Sequence, residues 1–286
     1  MLRVFGSLLV LFSATLASAQ TQFPSDSRLK TIVNTKIIKI AYRTDATPFS
    51  FLNATKEPAG FSIDVCKLVV GAIQKQLGLD NLKVGWVPVT VNSRFAAVAS
   101  GKADMECGSS TVTLGRMKEV DFSTFIFVET TGVVVSKASN IRTFADIAGR
   151  KIAVVAGTTN EKAIIAQLKQ QKIEATVISV KDGGEGIAML EAGNADAYAS
   201  DKLLLVGAHI KDPAKFVMLP DELSVEPYAI ALPRGDWALR LAVNTGLAQI
   251  YRSGEIVGVF RTWFDRIGLQ MSPALRIMYG LGALTD

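Results

Sequence analysis

The sequence predicts a two-lobed α/β protein in which each lobe is a mostly parallel sheet with flanking helices. From residue 35 onward, β-branched runs alternate with segments of helical spacing, a pattern typical of parallel sheets covered by helices. A short pattern also recurs: residues 100–104 and 192–196 each predict a helix that ends at glycine, a short strand and then polar residues. The chain is expected to return to the first lobe near residues 224–228, which predicts a two-stranded hinge suited to closure around a ligand.

The elements of the first lobe follow in chain order. Residues 37–42 predict a strand because they are rich in β-branched residues. Residues 82–88 alternate like a strand that ends at its proline, residues 93–100 predict a helix closed by glycine, and residues 103–106 predict the next strand. Between the first two strands, apolar residues recur at steps of three and four, on one face of a predicted helix: Ile63, Cys66, Val70, Ile73 and Leu77.

The second lobe repeats this alternation. Residues 152–155 and 176–180 predict strands. Thr158 and Glu161 are three residues apart and predict a capping box at the start of the intervening helix. We therefore expect a first lobe of 34–130 and 225–286, a second lobe of 131–224, and a helical tail, residues 236–264, that packs on the first lobe.

The amino terminus and the charge limit the possible functions. Residues 1–19 predict a signal peptide, with a basic residue, a short apolar core and a small-residue cleavage site. The apolar run is too short to span about 30 Å of hydrocarbon, so we expect an exported chain without membrane insertion. The formal charge of +5, from 31 basic and 26 acidic residues, is spread along the chain and does not favour nucleic-acid binding.

Catalytic and metal-binding motifs are missing from the sequence. Cys66 and Cys107 are the only cysteines and lack metal or redox spacing. Export permits a disulfide between them, and two buried thiols are the alternative. His209 is the only histidine, and a surface or capping role explains it better than catalysis. We therefore expect no metal, no cofactor and no enzyme activity.

Hydroxyl groups and an arginine cluster after one strand. The loop Ser109, Ser110 and Thr111 leads within a few residues to Arg116. Arginine is a two-pronged donor suited to a carboxylate, and hydroxyls with free backbone N–H groups can complete such a site. An ammonium group needs acceptors, which Asp201 and the hydroxyl loop can provide. Loops of this kind are also typical of ordinary turns and caps.

Longer motifs are similar to those of one family. They include residues 60–64, 101–104, 107–111 and 120–123 in the first lobe, 144–149 and 157–159 in the second, and 253–254 and 263–264 in the tail. The chain resembles the family 3 extracellular solute-binding proteins, the polar amino-acid receptors of bacterial ABC importers. The resemblance implies the periplasmic binding protein fold, a periplasmic location, a monomer, a small amino acid as ligand and an inner-membrane ABC permease as partner.

Within this family the chain looks closest to glutamate/aspartate receptors, on residues 42–43 with 48–51, 92–94, 106–108 and 200–201. In relatives that bind basic amino acids, the position of Arg43 is an aspartate that meets the cationic side chain of the ligand. The reversed charge here favours an anionic side chain, because an unpaired buried charge is heavily penalised.

The resemblance also implies roles for individual residues. Arg116 should bind the α-carboxylate, with Thr111, Thr158 and the adjacent Thr159 beside it. Ser109, Thr111 and Asp201 should bind the α-ammonium group, with Ser110 in the same loop, and Arg43 and Arg94 should face the ligand side chain. Val91 and Gly184 replace a serine and a histidine of the acidic-amino-acid receptors, so glutamine or asparagine is an alternative ligand.

Two alternatives belong to other functional classes. Cyclohexadienyl dehydratases resemble these receptors and need a general acid in the cleft, for which Glu106, Glu161 and Glu185 are the nearest candidates. Glu161 is also explained as a helix cap. A sensory ligand-binding domain is the other alternative, although the sequence lacks a signalling segment.

Overall fold

The computed structural model describes residues 23–211 and 214–285. The predicted signal peptide, residues 1–19, lies outside the described residues. Within these ranges the chain forms two five-stranded sheets, a small three-stranded sheet and the helices that cover them. None of the described helices combines the length and the apolar character that crossing a membrane requires.

The first sheet is mixed, with three parallel strands on one side and two antiparallel strands on the other. From edge to edge, its strands are β5 (Lys83–Val89), β1 (Ile37–Arg43), β6 (Met105–Glu106), β13 (Glu226–Pro233) and β7 (Val120–Glu129). The strand predicted for 82–88 does not end at Pro88, which is paired with Tyr42 inside β5. A proline fits there because β5 is an edge strand, where a missing backbone donor is tolerated.

Helices from both ends of the chain cover the first sheet. They are α1 (Arg28–Thr35), α2 (Phe61–Gln76), α3 (Arg94–Ala99), α7 (Trp237–Ser253), α8 (Glu255–Phe264) and α9 (Pro273–Gly282). The predicted face of α2 is buried at Ile63, Cys66, Val70 and Ile73, whereas Leu77 caps the end of the helix. Side chains of α7, α8 and α9 share the same apolar core, so the tail packs on the first sheet.

The start of α2 is fixed by a close contact with the small sheet, whose strands are β2 (Asp45–Ala46), β3 (Ser50–Leu52) and β4 (Pro58–Ala59). Gly60 has φ of 133°, and a Cβ there would collide with the backbone of Phe49, so only glycine fits. Phe49 is fully buried against Phe127 and Tyr228. Phe49 therefore packs in the core.

The second sheet repeats the order of the first. Its strands are β10 (Thr176–Val180), β9 (Lys151–Val155), β11 (Ala197–Asp201), β8 (Thr131–Ser136) and β12 (Phe216–Met218). The first three are parallel, and β8 and β12 are antiparallel additions. Three helices accompany them: α4 (Thr159–Gln171), α5 (Gly183–Glu191) and α6 (Lys202–Lys211). The predicted α/β class, with parallel strands and flanking helices in each half, is confirmed.

Helix α4 starts at the predicted residue. The hydroxyl of Thr158 accepts a hydrogen bond from the backbone N–H of Glu161 at 3.1 Å. The carboxylate of Glu161 accepts from the backbone N–H of Gly157 at 2.9 Å, one residue before the position that a capping box uses. The Thr158 hydroxyl and the Glu161 carboxylate nevertheless both stabilise the first turn of α4.

The two sheets are connected by two neighbouring segments of the chain. The first segment leads from β7 through Thr130 into β8, and the second leads through Ser224 into β13. Glu129 at the end of β7 lies opposite Glu226 at the start of β13. We call these two segments the crossing segments. Because the crossing segments are adjacent, the buried carboxylates of Glu129 and Glu226 lie close together where the chain passes between the two sheets.

A disulfide connects α2 with the end of β6. Cys66 and Cys107 are bonded at an S–S distance of 2.02 Å, with their Cα atoms 6.4 Å apart. Both residues are fully buried in the core of the first sheet. Of the two alternatives for these cysteines, the structure has the disulfide rather than two free thiols.

Candidate ligand-binding site

A cavity of about 580 Å³ lies between the two sheets. It is found beyond the carboxyl ends of the parallel strands β1 and β11, where open α/β sheets bind ligands. Its lining includes all but one of the predicted binding residues: Arg43, Arg94, Ser109, Thr111, Arg116, Thr158, Thr159 and Asp201. Residues that are distant in sequence and belong to different sheets therefore converge on one space.

Ser110 is the predicted binding residue that does not line this cavity. Its side chain is fully buried, whereas its neighbours Ser109 and Thr111 both line the cavity. Thr111 is paired with Tyr228 in an extended β-bridge, and successive side chains of extended backbone point to opposite sides. Ser110 therefore lies behind the wall of the cavity, because the hydroxyl loop alternates, and its role in binding stays a prediction.

Arg43 is held by a neighbouring carboxylate. Its Nε and Nη2 atoms donate to the two carboxylate oxygens of Asp45, both at 2.9 Å. This two-pronged pair uses two of the five guanidinium N–H donors and offsets the charge of Arg43. Asp45 also lines the cavity, so the charge that the sequence predicts for a ligand side chain is already balanced at this position.

Arg94 has a different environment. It is 3% exposed, and its Nε atom has no hydrogen-bond partner among the described residues. Arg94 takes part in none of the salt bridges among the described residues. Burial lowers the pKa of Arg94 to about 9, an effect that the nearby carboxylate of Glu106 opposes. Arg94 is thus a buried cation with unused donor capacity.

Arg116 lies beside Arg94, and both guanidinium groups lie over the ring of Phe95, at 4.7 Å for Arg94 and 5.3 Å for Arg116. The Nη1 atom of Arg116 donates to the backbone oxygen of Thr111 at 2.7 Å, which fixes the side chain in position. Burial lowers the pKa of Arg116, whereas the carboxylate of Glu226 raises it. A half-buried guanidinium with remaining donors can bind a carboxylate strongly.

The two threonines at the start of α4 are not equivalent. The hydroxyl of Thr158 donates to the backbone oxygen of Val155 at 2.7 Å and also caps α4. Its single proton is used, so it cannot donate to a ligand carboxylate. Thr159 has its hydroxyl 3.3 Å from that of Thr111, and this contact joins elements of the two sheets.

Asp201 is the last residue of β11 and is 5% exposed. Its Oδ1 atom accepts a hydrogen bond from the side-chain amide of Asn160 at 2.8 Å. Burial raises the pKa of Asp201 to about 6. A buried carboxylate of this kind is a suitable partner for a cation, because a bound ammonium group offsets the cost of its charge.

Sequence reasoning missed several polar residues around this site. Asn160 is buried, lines the cavity and donates to Thr131 as well as to Asp201. Glu129 and Glu226 are buried in the crossing segments. Burial and the nearby Asp201 raise the pKa of Glu129 to about 8. The only sequence signal was their nearness to the predicted crossings at residues 130 and 224.

The three glutamates considered as general acids do not line the cavity. Glu106 is fully buried, and neither of its carboxylate oxygens has a hydrogen-bond partner in the described structure. Glu161 and Glu185 each accept from a backbone N–H at the start of their own helix. Val91 and Gly184, the two departures from the acidic-amino-acid receptors, both line the cavity.

The fold and the cavity between its sheets define a two-lobed solute-binding protein. The bacterial extracellular solute-binding proteins, family 3, match residues 38–266. The chain is 35% identical to the L-glutamate/L-aspartate-binding protein of Pseudomonas aeruginosa over 93% of this chain and 89% of the relative. It is 32% identical to the glutamate/aspartate import solute-binding protein of Escherichia coli, over 90% of this chain and 86% of the relative.

A solved structure is also similar to this chain in sequence and fold. An ancestral amino acid-binding protein, described as a precursor of cyclohexadienyl dehydratase, is 29% identical and covers 83% of this chain and 100% of its own, with a TM-score of 0.71. The chain belongs to the family 3 bacterial extracellular solute-binding proteins.

Proposed function

We propose that this protein is a periplasmic receptor that binds glutamate or aspartate and delivers it to an inner-membrane ABC permease. The observation that carries the proposal is the distribution of charge around the cavity. Arg116 and Arg94 provide two cationic groups, and Asp201 provides a buried carboxylate. An acidic amino acid has two carboxylates and one ammonium group, which match these charges in number and sign.

The arginines have different roles in this proposal. Arg116 binds the α-carboxylate, since its position is fixed by the backbone of Thr111. Arg94 binds the side-chain carboxylate, since it is buried and has no ion-pair partner in the described ranges. Arg43, paired with Asp45, contributes the wall of the site. Asp201 and Thr111 receive the ammonium group.

The two sheets correspond to the two lobes in this proposal, with boundaries at 34–130, 131–224 and 225–286. The crossing segments then form the hinge. Support comes from the strand order, because each sheet is completed by a strand that follows a crossing segment. Closure of a monomer about this hinge would bury the ligand and give the permease a ligand-dependent shape.

The test is a binding screen with the mature, exported chain. Thermal-shift measurements with the twenty amino acids identify ligands, since a ligand that binds only the folded state raises its stability. Calorimetry then compares glutamate, aspartate, glutamine and asparagine in one buffer. We expect the acids to bind more tightly than their amides. Tighter binding of the amides would instead make the protein a receptor for glutamine or asparagine. The apolar Val91 and the missing side chain at Gly184 favour that alternative.

An exported enzyme of the cyclohexadienyl dehydratase type is the candidate from another class, and we propose that the chain is not one. The support is geometric: the three glutamates considered as general acids point into the core or cap helices. Incubation of the purified protein with arogenate or prephenate should leave both unchanged. Turnover of either acid would overturn the proposal of a receptor without catalytic activity.

A further inference from the structure

We propose that Glu226 is a positioning residue, which orients the hydroxyl of Thr111 so that its oxygen faces the ammonium group of the ligand. This inference rests on the proposed function. Glu226 is at the start of β13 and is 2% exposed. It does not line the cavity, so it acts through Thr111, which does.

The carboxylate of Glu226 lies within hydrogen-bond distance of three hydroxyl groups. Its Oε2 atom accepts from the hydroxyl of Thr111 at 2.7 Å. Its Oε1 atom lies 2.5 Å from the hydroxyl oxygen of Ser224 and 3.3 Å from that of Thr131, and these two hydroxyls are 2.7 Å apart. A carboxylate has acceptors only, so the single hydroxyl proton of Thr111 is directed at Glu226.

The direction of this proton determines what Thr111 can offer a ligand. With its proton used, the hydroxyl oxygen has two acceptor positions left. The Thr159 hydroxyl at 3.3 Å must then be the donor in that pair and fills one of them. The other remains free for an ammonium group, which has donors only. Without Glu226, the proton could point into the cavity and oppose the ammonium group.

Asp201, the second acceptor for the ammonium group, is oriented by the same network. The amide of Asn160 donates to Asp201 and to the hydroxyl of Thr131, both at 2.8 Å. Thr131 in turn contacts Glu226. One continuous chain of hydrogen bonds therefore connects both acceptors and passes through both crossing segments.

Glu129 provides a matched control. It lies opposite Glu226 in the β13–β7 pairing and is similarly buried, at 6% exposed against 2% for Glu226. Its carboxylate accepts from the backbone N–H of Leu203 at 3.0 Å and makes no hydrogen bond with Thr111 in the described ranges. A substitution at Glu129 therefore tests the general effect of changing a buried carboxylate in the crossing segments.

The informative variant is Glu226→Gln. The hydroxyls of Ser224 and Thr131 lie 2.7 Å apart, so one of their two protons can be satisfied within this pair. The other proton requires the single amide oxygen, and the NH₂ group therefore faces Thr111. Thr111 must then accept from the amide, and its own proton turns toward the ligand. Glu226→Asp is the second variant, because it keeps the charge but withdraws the carboxylate from Thr111 by one methylene.

The experiment measures the affinity for an amino acid and for its analogue without the α-amino group: glutarate for glutamate, succinate for aspartate, and the corresponding monoamides for glutamine and asparagine. Binding is measured by calorimetry, and circular dichroism verifies the fold of each variant. In Glu226→Gln we expect the amino acid to lose about tenfold or more in affinity, the size of one charged hydrogen bond. The analogue should change less than about threefold, and Glu129→Gln should change neither by more than that.

Three outcomes separate the two proposals. Equal losses for the amino acid and its analogue would show that Glu226 has only a structural role, and the inference would fail while the receptor function stands. If Glu226→Gln does not fold, Glu226→Asp is measured in its place. We expect this variant to lose affinity for the amino acid and not for its analogue, and equal losses for both ligands would overturn the inference. If the unaltered protein binds no amino acid, the proposed function and this inference fail together.

Discussion

The structure predicts that Arg94, rather than Arg43, gives the protein its preference for acids over amides. The perturbation is Arg94→Gln, with Arg43→Gln as the matched control. Arg43 already has two hydrogen bonds to Asp45 at 2.9 Å, so a ligand carboxylate gains little from it. Arg94 is 3% exposed, has an unpartnered buried Nε atom, and makes none of the ion pairs in the described chain. The charge of its guanidinium group is therefore available to a ligand carboxylate in the cavity that Arg94 lines.

The magnitude follows from the kind of bond lost. A hydrogen bond between charged groups contributes roughly 1.5–3 kcal/mol, which corresponds to about 10- to 100-fold in affinity. A neutral amide gains less from a guanidinium group, so the ratio of acid to amide affinity should fall by about tenfold or more in Arg94→Gln. In Arg43→Gln the ratio should change by less than about threefold.

The assay is calorimetry of glutamate, aspartate, glutamine and asparagine with both variants in one buffer. Burial raises the pKa of Glu106, and Arg94 is the largest influence that lowers it. Because Arg94 stabilises this buried carboxylate, the fold of Arg94→Gln must first be verified by circular dichroism. The reasoning is refuted if the ratio is unchanged in Arg94→Gln, or if Arg43→Gln lowers it to the same extent. In the second case the pair with Asp45 would open when the ligand binds.

Three further predictions concern other residues. Arg116→Ala should weaken every amino acid ligand by about 2–5 kcal/mol with little change in the melting temperature of the free protein; calorimetry with near-native affinity for any of them would contradict the α-carboxylate role. Burial raises the pKa of Asp201 to about 6, so affinity should fall up to about tenfold per pH unit below pH 6, where the carboxyl is protonated and cannot pair with an ammonium group. In Asp201→Asn this pH dependence should vanish, and its persistence would assign it to another group. Burial raises the pKa of Glu129 to about 8 from 4.5, so its contribution to stability is complete below pH 4.5 and is lost as the pH rises through 8. Glu129→Gln should therefore raise the melting temperature relative to the unaltered protein at pH 8 and leave it nearly equal at pH 5, and equal differences at both pH values would contradict this account.

The sequence allowed the parallel halves of both sheets to be predicted, because β1 and β9 are short β-branched runs followed by amphipathic or capped helices. It did not allow the antiparallel strands β8 and β12 to be assigned to a sheet, since their pairing depends on where the chain crosses. A register of this kind is set by tertiary contacts that leave no local pattern.

The candidate site was predictable to a similar degree. Arg116 follows β6 and Asp201 ends β11, and the carboxyl ends of parallel strands meet at one edge. Ser110 was predicted with its neighbours because its residue type is right, but the alternation of an extended loop turns it inward. Asn160 and Glu226 carry no motif. Their importance comes from hydrogen bonds between residues up to 115 positions apart, which only the folded chain brings together.

The position of β13 has a consequence for how the molecule is assembled. The second sheet is built from one continuous stretch, from β8 to β12, and can be completed as soon as that stretch exists. The first sheet cannot, because β13 lies between β6 and β7 and follows the whole second sheet in the chain. Any chain shortened before residue 226 lacks an interior strand of the first sheet, so β7 would have no partner, and it also lacks the tail helices that cover this sheet. The first sheet, which provides one wall of the site, is therefore finished last, and a partly synthesised chain contains no complete site.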